Sequence, residues 1–189
     1  AALMGTAGVS TADVVLLSTQ TASSSSAIAI TSGITSTYGE YIFKFYNIHP
    51  ATNNAILTFQ VSIDGGSNYN VAITSSAFQA YHAEADDNAG MQYDTGQDLA
   101  QGTGYQTITG NIGNGNDESG VCELHLFNPS STTYVKHWYA HGQVYQGNDE
   151  SQDFFHAGYA NSTSAVNAIN FKMSSGNIDA GTIKMWGVK

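Results

Sequence analysis

Apolar and polar residues alternate with a period of two through most of the chain beyond Tyr38. In residues 55–63, Leu57, Phe59, Val61 and Ile63 fall on one face while Ile56, Thr58, Gln60 and Ser62 take the other. That spacing is the mark of a half-buried strand. Residues 41–46 (YIFKFY) are aromatic-rich, as strands prefer. Further strands are predicted at 121–127, 134–145, 154–160, 165–173 and 181–188. Asp64-Gly65-Gly66 predicts a hairpin turn with residues 69–74 returning antiparallel, because glycine accepts the positive φ such turns need. Asn128-Pro129 opens a second turn, with Pro129 suited to the first central position of a type I turn. Helical spacing surfaces only in residues 75–84, too weakly to predict a helix. Roughly nine or ten short strands separated by turn signals predict an all-β protein, a β-sandwich of the jelly-roll kind.

Two segments break the pattern. Residues 1–35 contain no aromatic side chain, and a run of four serines separates the apolar patches 14–17 and 27–30. They read as an extended N-terminal arm with short strands, preceding a sandwich domain over 36–189. Residues 82–119 are rich in Gly, Asn and Asp, and only 105–108 looks strand-like. A long loop in a compact domain tends to serve function or an interface.

Charge narrows the partners. Of 189 residues only 11% are charged, against about 25% in typical domains. All five basic residues are Lys, and with fifteen acids the net charge is −10. A chain with no arginine fork and no cationic face is unsuited to phosphates, so neither nucleic acid nor an anionic membrane surface is expected as a partner. No apolar run approaches the ~18 residues of a membrane span, and no cationic segment with an apolar core marks a signal peptide. Cys122 is alone, which leaves no intrachain disulfide.

Candidate chemistry is sparse. The segment 115–119 (GNDES) recurs perfectly at 147–151. A hairpin centred near Ser131 would bring both copies to one end of the sandwich and crowd Asp117, Glu118, Asp149 and Glu150 together. Four carboxylates so placed could hold calcium, although two polar turns on a solvated rim need no metal. The same hairpin would set His125 opposite His137, with His141 on the same face, a zinc-like cluster that any slip of register destroys. Trp138, Tyr139, Tyr145 and Trp186 could serve as a sugar-stacking platform or as core and subunit interface. Val135, His137, Tyr139 and His141 share one strand face, opposed by Lys136, Trp138 and Ala140, and only one of these faces can be the core. Paired catalytic carboxylates are missing, since Glu123 is the only acid placed mid-strand in the later sheet. No Gly-x-Ser-x-Gly elbow and no lysine-bearing phosphate loop is present, so no enzyme and no catalytic residue is expected.

The runs 41–50 (YIFKFYNIHP), 64–70 (DGGSNYN), 125–137 (HLFNPSSTTYVKH) and 171–189 (FKMSSGNIDAGTIKMWGVK) resemble a group of small virion proteins of tailed marine bacteriophages. The closing Phe strand, Ser-Ser-Gly-Asn-Ile and Gly-Thr-Ile-Lys before an aromatic and Gly is the most characteristic part. The resemblance covers roughly 36–189, fits the first 35 residues less well, and brings no catalytic motif. It implies a structural protein of the virion. The expectation is a capsid decoration (cement) protein on the head surface, homotrimeric, bound to the major capsid protein or other virion proteins. The alternative is a tail or fibre module that recognises host surface glycan.

Overall fold

The computed structural model describes residues 13–189. Twelve strands run in chain order: β1 (Val14–Ser25), β2 (Ile28–Ile30), β3 (Glu40–Pro50), β4 (Leu57–Ser62), β5 (Ile73–Ala83), β6 (Ala89–Tyr93), β7 (Gln106–Thr107), β8 (Gly120–Phe127), β9 (Lys136–Gln146), β10 (Glu150–Ala160), β11 (Ala168–Met173) and β12 (Ile178–Val188). They form an eight-stranded sheet, β1-β12-β3-β8-β9-β10-β5-β6, and a four-stranded sheet, β2-β11-β4-β7. Every pairing is antiparallel. The fold is the all-β sandwich that the alternation predicts. Its strand order does not by itself assign the two Greek keys of a jelly roll.

The inner faces meet over aromatic rings. Phe171 of the small sheet packs edge-on against Phe43 (5.5 Å) and Phe45 (5.0 Å) of the large one, and Phe59 meets Trp138 at 5.0 Å. These T-shaped contacts suit the quadrupoles of the rings and bury large apolar areas. In β3 the side chains of Tyr41, Phe43 and Phe45 point inward and those of Glu40, Ile42 and Lys44 outward. Asn47, at φ 48°, then adds a bulge that lets Ile48 turn back into the core.

Four strands cannot cover eight. The remainder of the inner face lies under residues 94–112, and there the interior is polar. The Gln60 amide donates to the carbonyls of Val71 (3.0 Å), Thr103 (3.2 Å) and Gly104 (2.8 Å). Gln106 donates to the carbonyls of Gln97 and Thr107 and accepts from Ser75, whose Oγ in turn accepts from the amide of Leu99. The Gln152 Oε1 accepts from the amide of Asn111, and it lies so close to Gly110 that a Cβ there would overlap it. Buried loop backbone has no ladder partner, so side-chain amides supply the bonds.

Several sequence expectations change. Residues 13–35 are not an arm: β1 pairs with β12 along most of its length, β2 pairs with β11, and Ala22, Ile28, Ile30 and Ile34 are buried. The division at 35/36 therefore cuts through both sheets, and only residues 1–12 of the proposed arm fall outside the described part. The turn at Asp64 makes no hairpin. β4 pairs with β7 and β11, and the chain crosses to the other sheet before β5. Asp64 caps that crossover by accepting from the Asn68 side chain, Ser62 and the Asn68 amide, which lowers its pKa to about 2. Of residues 75–84, all but Glu84 belong to the strand β5. The segment 82–119 is a structural cover, with β6, β7 and the buried side chains of Ile108 and Ile112.

His156 sits in the polar seam, 3% exposed, with Nε2 3.4 Å from the Thr107 hydroxyl and Nδ1 lacking a partner. Desolvation lowers its pKa from 6.5 to about 4, so the folded state holds it neutral. Below about pH 6.5 the unfolded chain takes up a proton that the folded chain refuses. Stability should therefore fall by about 3 kcal/mol as pH drops from 6.5 through 4. Urea unfolding across that range should show the fall in the wild type and its loss in His156→Gln.

Candidate functional site

Among the described residues, only one face of the large sheet is covered. Its outer face carries nine of the eleven large apolar side chains that are exposed among the described residues: Val14, Leu16, Tyr46, Phe78, Met91, Tyr93, Val121, Tyr139 and Phe155. Strand alternation puts Phe78, Val121, Tyr139 and Phe155 there, each being the outward neighbour of a core residue, while Met91 and Tyr93 lie on the wholly exposed edge strand β6. Exposed apolar area gathered on one side marks an interaction surface, whereas isolated exposed residues do not.

One row crosses the face through seven strands: Lys184, Lys44, Glu123, His141, Phe155, Phe78 and Tyr93 stand side by side. Charge occupies one end and aromatic rings the other. Lys44 pairs with Glu123 at 3.5 Å. His141 stacks on Phe155 at 4.1 Å and contacts Asp153 at 2.9 Å, and Phe155 stacks on Phe78 at 4.8 Å. In the adjacent row His125 contacts Glu40 through Nδ1 and stacks on Tyr139 at 4.4 Å. Burial, and then the carboxylates of Glu40 and Glu123, push the Tyr139 phenol pKa up. Lys44 and Lys184 are two of the five lysines, so the face holds three acids to two lysines where the chain holds fifteen to five.

The β8–β9 hairpin has a different register from the expected one. Glu123 faces His141, Leu124 faces Ala140 and His125 faces Tyr139. Tyr134 and Val135 stay in the loop because Lys136, the first residue of β9, is buried with its ammonium donating to the carbonyls of Tyr134 (2.8 Å) and Ser162 (3.0 Å). The ladder is thereby displaced by two residues. Parity is preserved, so His125, His137 and His141 do share the outer face, but His125 no longer meets His137. Among the described residues no three His, Cys, Asp or Glu side chains are placed to hold a metal ion.

The two GNDES turns do lie at the same end. Gly113 donates to the carbonyl of Tyr145, and the turns are tied to consecutive residues of one loop: the Asn114 amide donates to Asn53 and the Gly147 amide to Asn54. Their carboxylates go separate ways. Glu118 accepts from the amide of Gly115 within its own turn, and Asp117 is exposed beside a hollow shared with Asn47 and His49. Asp149 accepts from the Tyr145 hydroxyl at 3.1 Å, and Glu150 is buried and accepts from Asn148. Partial desolvation and the neighbouring Asp149 and Glu84 push the Tyr145 pKa up to about 12.

The four aromatic candidates do not converge. Trp138 is 2% exposed and belongs to the core. Tyr139 and Trp186 occupy the same outer row but are separated by Ile42 and His125. Tyr145 belongs to the acidic end. Cys122 is buried, its Sγ 3.3 Å from the Ile108 carbonyl, and burial pushes the thiol pKa up, which keeps it unreactive. The outer patch itself was not singled out from sequence. Its signal was present in the paired outward aromatics 78, 93 and 155, but their adjacency depends on the strand order.

With Glu118, Asp149 and Glu150 each held by a separate local partner and Asp117 exposed apart from them, titration calorimetry of the wild type with Ca²⁺ should give no saturable heat. Saturable heat that disappears in Asp117→Ala/Asp149→Ala would instead establish a calcium site. Compared with models of protein families and with curated protein sequences, the chain matches none.

Proposed function

We propose that the protein is an assembly subunit of a phage virion, a capsid decoration protein that acts as a homotrimer and clamps neighbouring capsid subunits. The observation that carries the reading is the aromatic half of the outer face, where Phe155, Phe78 and Tyr93 stand in one row with Met91 beside it. A surface this rich in exposed aromatic side chains gains from burial against a protein partner. The rest of the chain is acidic enough to repel other copies, which directs association to this face.

A second feature supports assembly. β1 is an edge strand of twelve residues that contains no charged residue and no proline. Edges that must stay single are usually blunted by such residues. An unblunted edge suits pairing with a neighbouring chain in a shell.

The sequence resemblance supports assigning this surface to a virion. The alternative, a tail or fibre module for host glycan, draws no support from Trp138, Tyr139, Tyr145 and Trp186, which form no common platform.

Immunogold labelling of intact virions should place gold over the whole head. Gold restricted to the tail would overturn the decoration reading in favour of an attachment role. In sedimentation analysis the wild type should run as a trimer and Phe78→Glu/Met91→Glu as a monomer with an unchanged melting temperature. Met91 is 77% exposed, so the double variant tests association rather than folding. A wild-type monomer, or a trimer that survives both charges, would remove the outer face from the assembly.

A further inference from the structure

At the opposite end of the large sheet from the acidic turns, the β8–β9 loop arches over a groove of about 850 Å³. The volume falls within the roughly 300–1,000 Å³ typical of small-ligand sites. Three aromatic rings, Tyr38, Phe127 and Tyr134, contribute to its walls together with the imidazole of His137. Tyr38 is braced edge-on against the buried Tyr41 at 5.8 Å, and Phe127 lies 5.7 Å from Tyr139. These rings are therefore held in place before any ligand arrives.

The polar part of the wall is open to a ligand. Ser36, Asn128, Thr133 and Thr163 are exposed and Ser130 is half-buried; their side chains line the space, and none bonds to another described residue. The Ser131 hydroxyl is the exception: it accepts from the amides of Thr133 and Tyr134 and fixes the loop. No Asp, Glu, Lys or Arg lines the groove, although the chain carries twenty charged residues. Lys136 follows in sequence but is not part of the wall, and its ammonium is satisfied by two carbonyls.

We infer that this groove binds a neutral saccharide, with the aromatic rings stacking against sugar C–H faces and the free hydroxyl, carboxamide and imidazole groups bonding to sugar hydroxyls. An uncharged wall gives no compensation to a sialic acid, a sulfated sugar or a phosphate, whose desolvated charge would go unpaired. A purely apolar occupant, such as a side chain from another subunit, would bury five polar side chains without partners. A sugar satisfies both constraints, since each hydroxyl donates and accepts while each ring face is apolar. The site lies away from the aromatic half of the outer face, so it goes beyond the assembly reading and stands or falls separately from it.

The test uses the full chain and three neutral trisaccharides, maltotriose, chitotriose and galactotriose, observed by saturation-transfer NMR, with 3′-sialyllactose as the acidic control. At least one neutral probe should bind, and the sialylated one should not. Tyr134→Ala and His137→Ala should each weaken that binding at least tenfold. Tyr134 is 72% exposed, so its removal leaves the fold intact, which circular dichroism and thermal melting would verify. No saturation transfer to any neutral probe at millimolar concentration overturns the inference. So does binding that persists in both variants, or a preference for the sialylated control.

Discussion

The structure depends on a mismatch between its layers. Eight strands need their inner face covered, and the opposing sheet has four. Where the small sheet reaches, the core is aromatic and dry, built on Phe43, Phe45, Phe59, Trp138 and Phe171. Where it does not, residues 94–112 take over, and a loop brings backbone groups that no ladder satisfies. Gln60, Gln106 and Gln152 answer that need from the strands. The price is a seam in which a histidine must remain neutral and a glycine must stand at position 110. The long irregular segment is thus part of the core, and this explains why its Ile108 and Ile112 are as buried as any strand residue.

The same mismatch shapes the outside. A wide sheet covered on one side leaves a wide outer face, and the side chains there are the outward halves of strands selected for their inward halves. Polar alternation would have sufficed for solubility. Instead Phe78, Met91, Tyr93, Val121 and Phe155 are exposed together. Stacking organises them: His141 lies on Phe155 and Phe155 on Phe78, so the patch is ordered before it meets anything. At the far end of the sheet the β8–β9 loop sets exposed hydroxyls beside the braced rings of Tyr38 and Phe127. The two ends of one sheet therefore present different chemistry, a flat apolar surface and a concave neutral one.

Much of the fold could be read from the chain. Alternation at 41–46, 55–63 and 121–127 identified strands, because a sheet residue's side is set by local geometry alone. The repeat at 115–119 and 147–151 correctly implied turns at one end, since a hairpin returns the chain whatever its exact register. The histidine cluster did not survive, because it needed the register itself. That register was decided by Lys136, whose ammonium ties the hairpin's foot to the carbonyls of Tyr134 and Ser162. The carboxylates of the repeats share an end but not a centre: Glu118, Asp149 and Glu150 have separate local partners, and Asp117 is exposed.

The sequence by itself determined which residues alternate, where most turns fall, that the chain is acidic and arginine-free, and that its fold is an all-β sandwich. Those are properties of neighbours along the chain and of composition. Tertiary structure alone decided that β1 and β2 join the two sheets, that residues 69–74 cross between layers, and that Trp138 is core while Tyr139 is surface. It also decided which outward side chains stand together. Strand order brings Lys44, Glu123, His141, Phe155, Phe78 and Tyr93 into one row from six separate strands. Such rows depend on contacts between segments far apart in sequence, whose pairing is set by the burial of the whole inner face and not by any local pattern.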